Sequence, residues 1–297
     1  MKSDTIHQHS LVTRFAPSPS GFLHLGHAYS AWFAERIAKE AEGKFLLRLE
    51  NIDHNRCSLE YEEAILEDLS WLGLEWQQPI RRQSNHMAEY ALELAKLTDL
   101  GLVYPCFCSR KQIRNEIEMV NVAPHEKFIS KLGPIYPGTC RKIRSNDSKR
   151  RIASGVPYAL RLNMEKAINL ALLKHKNLYW VDQDAGIQPA IPEVFGDVVL
   201  ARKDNPTSYH LSVVIDDANQ GVNFITRGED LRDVTHIHCL LQALLDFEWP
   251  IYHFHRVLVD SNGKRLSKRN KSLTLRKLRE DGLTVDEVKN MIDTIQL

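Results

Sequence analysis

What this 297-residue chain lacks narrows it first. No apolar run approaches the length of a membrane span. The first ten residues, MKSDTIHQHS, hold no hydrophobic stretch of the kind a secretory signal needs, so a cytoplasmic location is expected. Cysteine is scarce and odd in number: Cys57, Cys106, Cys108, Cys140 and Cys239. Without a signal, that count speaks against a disulfide framework. Internal repeats and low-complexity tracts are absent. The net charge is only +1, which argues against a protein that coats nucleic acid with its whole surface.

What is present is ordinary globular composition, 43% hydrophobic and 26% charged, enough for a sizeable core. The length suits two domains or one domain carrying an insertion. Charge is uneven. Lys264 to Arg279 holds eight Lys/Arg and no acid, and Arg110 to Arg151 holds eleven basic residues against four acidic. Arg48 to Glu75 reverses this, with eight acids and two arginines. Two basic regions on a near-neutral chain fit local contact with phosphate; solvated surface is the plainer reading of the Arg110 to Arg151 cations.

The spacing predicts a βαβ start. LVTRF (Leu11–Phe15) reads as a strand, Tyr29, Trp32, Phe33, Ile37 and Ala41 recur at helical spacing with Gly43 as the stop, and KFLLRLE reads as a buried strand. Ser58 is an N-cap candidate for a helix ending at Gly73, and a further helix runs from about His86 to Leu100. The α/β alternation resumes at LSVVID and VNFIT, followed by a helix around Asp233 to Asp246.

Between the first strand and helix lies RFAPSPSGFLHLGH (Arg14 to His27). A loop there sits at the carboxyl edge of a parallel sheet, where open α/β folds bind ligands. Pro17 and Pro19 fix the backbone, while Gly21 and Gly26 allow close approach. His24 and His27, three apart, could share one face of the helix start and donate to phosphate oxygens. A metal pair or plain surface histidines are the alternatives, and no third ligand lies near in sequence. GKRLSKRNKS (Gly263 to Ser272) offers a cationic loop that could close over a triphosphate, though taken alone such a loop is commonly just solvated surface.

Together these elements resemble class I aminoacyl-tRNA synthetases. HLGH (His24 to His27) is similar to their HIGH motif, and RLSKR (Arg265 to Arg269) to their KMSKS loop. RFAPSPSG, RLENID (Arg48 to Asp53), VVIDD and RGEDL (Arg227 to Leu231) narrow the resemblance to the glutamyl/glutaminyl branch. The chain ends 28 residues after Arg269, leaving no room for an anticodon-binding domain, so the short glutamyl-Q tRNA(Asp) synthetases are the expected relatives.

That resemblance implies ATP-dependent, tRNA-independent activation of L-glutamate, with Mg²⁺ accompanying the ATP, and its transfer to queuosine in the anticodon of tRNA(Asp). It implies catalytic roles for His24, His27 and Lys268, and ATP contacts from His24, Gly26, His27 and Lys268. The glutamate site would comprise Arg14, Phe15, Ala16, Pro17, Ser18, Glu50, Tyr209 and Arg227. Taken singly, without the resemblance, Glu50 reads first as a strand-end surface acid, Tyr209 as core and Arg227 as a structural salt-bridge partner. Asn51 stands where the family usually has Asp.

The resemblance also implies one structural Zn²⁺ per chain, held by Cys106, Cys108, Tyr136 and Cys140. His125, in the long gap between the two halves, is the alternative fourth ligand, and buried free thiols are the metal-free reading. Cys57 and Cys239 read as packing residues. The expected fold is α/β: a Rossmann-like parallel-sheet nucleotide-binding domain in two halves, 1–105 and 196–250. An inserted α+β zinc-containing subdomain would occupy 106–195, and the KMSKS-like loop with a short helical tail 251–297. No membrane contact and a monomer are expected. Competing readings are a minimal glutamyl-tRNA synthetase charging the acceptor end and a catalytically silent tRNA-binding paralogue.

Overall fold

The computed structural model describes residues 10–120, 129–130, 133–259 and 274–296. Lys264, Arg265, Lys268, Arg269 and His125 lie outside these residues. The first half is β1 (Val12–Phe15), α1 (Leu25–Glu40), β2 (Lys44–Leu49), α2 (Leu59–Trp71) and β3 (Gln77–Arg82), with β1, β2 and β3 laddered in parallel in that order. Helix α3 (Met87–Asp99) leads to β4 (Val103–Cys106), α4 (Arg110–Val120), the short antiparallel pair β5 (Ile129–Ser130) and β6 (Gly133–Pro134), and α5 (Ser145–Ala153). Then come β7 (Ala159–Leu162), α6 (Met164–His175), β8 (Tyr179–Asp182), β9 (Gly186–Pro189) and β10 (Val199–Ala201). The remainder is α7 (Tyr209–Asn219), β11 (Phe224–Gly228), α8 (Thr235–Leu244), β12 (Ile251–His255), α9 (Leu275–Glu280) and α10 (Val285–Gln296).

Strand β12 lies between β11 and β8 and is parallel to both, with β9 antiparallel at the edge. The stretch 106–195 is therefore not all insertion. Val181 of β8 pairs with Ile251 of β12, and Ala167 and Ala171 of α6 are buried with Leu211 and Leu240 of α7 and α8. What stands apart is an antiparallel sheet, β10-β7-β4, and the cysteine-bearing turns beyond it.

Local sequence accounts for the boundaries. Ser58 caps α2 by accepting from Tyr61 N, Asn163 caps α6 through Lys166 N, and Ser208 caps α7 through Leu211 N. Gly43 matters for a reason other than stopping α1. Glu42 takes the left-handed turn, with φ 49°, while a Cβ on Gly43 would meet Leu11 O at 2.2 Å. Only glycine lets the chain enter β2 so close to β1.

One apolar core joins α1, β2 and α2 to α9 and α10 through Leu25, Leu47, Leu69, Leu275 and Val288. The chain after residue 273 thus returns to the first half. Leu275 N donates to Leu23 O at 2.9 Å, and Thr274 bridges His24. Among the described residues, no helix is long and apolar enough to cross a membrane.

Between β1 and β11 the parallel sheet β1-β2-β3 and the mixed sheet β11-β12-β8-β9 meet without a ladder among the described residues. Side chains close the seam: Asn223 Oδ1 accepts from Val12 N at 2.9 Å, and Arg14 Nη1 donates to Thr226 O at 2.9 Å. This is the switch point of the sheet, and its carboxyl ends open a crevice there.

Candidate active site

A cavity of about 380 Å³ occupies that crevice. Arg14, Phe15, Ala16, Pro17, Ser18, His24, Gly26, His27, Glu50, Tyr209 and Arg227 all line it, so the segments singled out in sequence converge on one pocket. Residues 256–258 line it as well, and Thr274 bridges His24. The described chain on both sides of residues 260–273 therefore abuts the pocket.

His24 is not within α1 but caps it. Its Nδ1 accepts from Gly26 N at 3.1 Å, and His27 Nδ1 accepts from His24 N at 3.2 Å, a reciprocal capping box built from two imidazoles. A Cβ on Gly26 would meet His24 Cε1 at 3.0 Å, so glycine lets the ring fold back. The two rings lie 3.9 Å apart, centroid to centroid. Because each Nδ1 accepts a backbone N–H, Nε2 is the proton-bearing nitrogen of each neutral ring. A pair of N–H donors at a helix N-terminus is suited to an anion.

Behind the pocket lies a buried set of charges that single-residue reading of the sequence did not find. Arg48 is 0% exposed. It donates to Asp217 Oδ1 at 2.7 Å, Gln220 Oε1 at 3.0 Å and Glu50 Oε1 at 3.2 Å. Arg14 holds Asp217 from the other side, through Nε at 3.0 Å and Nη2 at 3.3 Å. The neighbouring Asp216 accepts from Arg81 at 2.7 Å, Tyr90 at 2.8 Å and Gln83 at 2.8 Å. Burial alone would raise the Asp217 carboxyl, but Arg14 and Arg48 hold it down to about 2. Burial pushes Glu50 up from its ordinary value against the pull of Arg48 and Arg14. An arriving ammonium group would favour its ionised form. The Asn51 amide clamps the next loop: Oδ1 accepts from Ser84 N at 2.8 Å and Nδ2 donates to Ser84 Oγ at 3.0 Å.

Arg227, at the carboxyl end of β11, is treated differently. It is 5% exposed, its Nη1 lies 3.1 Å from His238 Nδ1, and its guanidinium carbon lies 5.2 Å from the Tyr252 ring centre. Among the described residues no carboxylate pairs with it, and its Nη2 is buried without a hydrogen-bond partner. Tyr209 lies within the fields of both Arg227 and Glu50. The pocket thus offers an unneutralised guanidinium and a carboxyl group, the complement of an amino acid with an anionic side chain.

Away from this pocket, the sulfurs of Cys106, Cys108 and Cys140 lie within 4.8 Å of one another. Cys108 Sγ is 3.4 Å from Cys140 Sγ and 3.6 Å from Tyr136 Oη, so the long gap in sequence does not keep Tyr136 from the cluster. These separations approach what thiolates and a phenolate around one tetrahedral ion require, and the soft donors suit zinc. Cys239 is buried, donating to Tyr179 O, and Cys57 lies 3.6 Å from Ser18 Oγ.

Residues 10–292 match the family model described as tRNA synthetases class I (E and Q), catalytic domain. The chain is 42% identical over 291 residues to a glutamyl-Q tRNA(Asp) synthetase of Rhodobacter capsulatus, covering 95% of this chain and 99% of that one. It is 35% identical to glutamate–tRNA ligase 2 of Nitrosococcus oceani, covering 95% of this chain but 58% of the ligase. The fold resembles a glutamate tRNA ligase of Elizabethkingia meningosepticum, solved with its amino acid, at a TM-score of 0.71 and 23% identity, over 92% of this chain and 53% of that one. The chain thus spans about half the length of that structure. The converging motifs and these likenesses agree: the chain belongs to the class I tRNA synthetases of the glutamate and glutamine group, a family of ligases.

Proposed function

We propose that the chain activates L-glutamate with ATP, needing no tRNA for that step, and transfers the glutamyl group to queuosine in the anticodon of tRNA(Asp). The observation that carries the amino-acid part is the pocket with unneutralised Arg227 and half-buried Glu50 around Tyr209, beside the imidazole-capped start of α1. In this reading Glu50 holds the substrate ammonium, Arg227 and Tyr209 hold the side-chain carboxylate, and Arg14 to Ser18 line the site. His24, Gly26 and His27 receive the ATP phosphates, with Lys268 joining from residues whose described neighbours flank the pocket. The glutamate α-carboxylate attacks the α-phosphorus in line and pyrophosphate leaves; positioning and charge stabilisation supply the catalysis. The queuosine target is supported by the Rhodobacter relative, matched over nearly its whole length.

The same reading gives the cationic stretch 142–151, α5 and the turn before it, to the tRNA. No residue of α5 is buried, and its one acid, Asp147, is paired with Arg150. Lys142, Arg144 and Lys149 have no ion-pair partner among the described residues, and Arg151 lies over the Phe107 ring at 5.4 Å. Such a stretch answers a phosphate backbone. The deciding experiment is glutamate-dependent ATP–pyrophosphate exchange without tRNA, followed by transfer to queuosine-containing tRNA(Asp). We expect exchange with glutamate and little with glutamine or aspartate. R144E/K149E should keep the exchange and lower transfer about tenfold or more. Transfer to queuosine-lacking tRNA(Glu) instead would favour a minimal glutamyl-tRNA synthetase, and absence of exchange in folded protein a silent paralogue.

A structural zinc ion on Cys106, Cys108, Cys140 and Tyr136 completes the proposal; the inserted α+β region would owe its stability to it. Purified protein should carry about one zinc per chain. Cys140→Ser should lose the metal and lower the melting temperature by several degrees. A metal-free wild type of equal stability would remove zinc from the account.

A further inference from the structure

The buried guanidiniums on and behind the pocket wall are partnered in opposite ways. Arg14 and Arg48 share the Asp217 carboxylate, and Arg48 also pairs with Glu50 and Asp216. Arg227 is braced by His238, which is 1% exposed, and by the face of Tyr252. A guanidinium has only donors, so His238 Nδ1 must be an acceptor and the ring carries its proton on Nε2. That Nε2 lies 3.3 Å from His210 Nδ1, which makes His210 the next acceptor and leaves its own proton on Nε2. The chain Arg227, His238, His210 therefore runs in one direction, its tautomers set by the arginine. Burial, followed by the charge of Arg227, keeps both imidazoles well below their ordinary value, His210 at about 4. The brace fixes the orientation of Arg227 while its positive charge is retained.

Resting on the reading of this pocket as a glutamate site, we propose that His238, supported by His210, is a positioning residue that selects an anionic substrate side chain by holding Arg227 in place without a compensating carboxylate. An acidic residue at 238 would pair with Arg227 and remove the charge that distinguishes glutamate from glutamine. An apolar one would leave a second guanidinium nitrogen buried without a partner and free the fork to turn away.

The test is ATP–pyrophosphate exchange by wild type, His238→Asn, His238→Leu and His238→Glu, with KM for glutamate and for ATP and the glutamate-to-glutamine preference read separately. Asn presents its Oδ1 near the place of Nδ1 and keeps an uncharged acceptor. We expect His238→Asn within a few-fold of wild type. His238→Leu should raise KM for glutamate about tenfold to a hundredfold with KM for ATP unchanged. His238→Glu should lose most of the preference for glutamate over glutamine. His210→Gln, one step further out, gives a smaller change in the same direction and guards against misfolding of the Leu variant. An unchanged glutamate KM in His238→Leu, equal losses in the Asn and Leu variants, or KM for ATP rising in parallel would overturn the positioning role. No glutamate-dependent exchange by the wild type would overturn the glutamate reading itself, and the inference with it.

Discussion

Asp217→Ala is expected to unfold the protein before it tells anything about activity. The substitution leaves Arg14 and Arg48 with buried guanidiniums and their shared carboxylate gone. Breaking one partner out of such a set costs about 3–5 kcal/mol, a large part of a domain's total stability. Urea denaturation should show the midpoint collapsing. A midpoint within the error of wild type would mean that water or Glu50 takes over the charge. The same pairing has a pH signature. The folded-state carboxyl of Asp217 titrates at about 2, below its ordinary 3.8. Its stabilisation, about 2 kcal/mol, is therefore fully present above about pH 4 and is lost as pH falls toward 2.

His27→Ala should slow glutamyl-adenylate formation by about 10²–10³, the loss typical of removing one donor to a developing charge, with only a modest fall in melting temperature from the lost His24 N–H bond. His24→Ala carries an added structural cost of about 1 kcal/mol, because that ring also caps α1. His24→Asn separates the two roles: asparagine caps well but carries no imidazole, so it should restore the melting temperature and remain slow in exchange. If instead all three variants lose activity only in proportion to lost folded protein, the imidazoles are structural caps and the phosphates are held elsewhere.

Of the pocket lining, Arg14 to His27 was legible in its own residues, whereas Glu50, Tyr209 and Arg227 came in only through the family resemblance. Prolines and glycines frame Arg14 to His27. The charges behind the pocket were not legible, since Arg48 meets Asp217 and Gln220 across 169 and 172 positions of sequence. Nor could spacing show that His24 folds back as a cap, which depends on the room left by Gly26. The assignment of β8 failed for another reason: four residues, YWVD, in a stretch of irregular pattern carry too little periodicity to be seen as an interior strand. His238 escaped because a histidine amid THIHCLL looks like ordinary helix core, and its partner lies on the preceding strand.

The seam between β1 and β11 bears on how the molecule is built in time. Its contacts span the chain: Arg14 meets Asp217 across 203 positions and Thr226 across 212. During synthesis the first strand emerges long before α7 and β11, so Arg14 and Arg48 cannot meet Asp217 until α7 has been made. Closing so long a loop adds little to the equilibrium cost but slows the search, because the ordering comes before the reward. The Arg14–Asp217–Arg48 set and the crevice in front of it can form only once α7 and β11 have joined the first strand. A nascent chain shorter than α7 has the loop that marks the family but no site in which to use it.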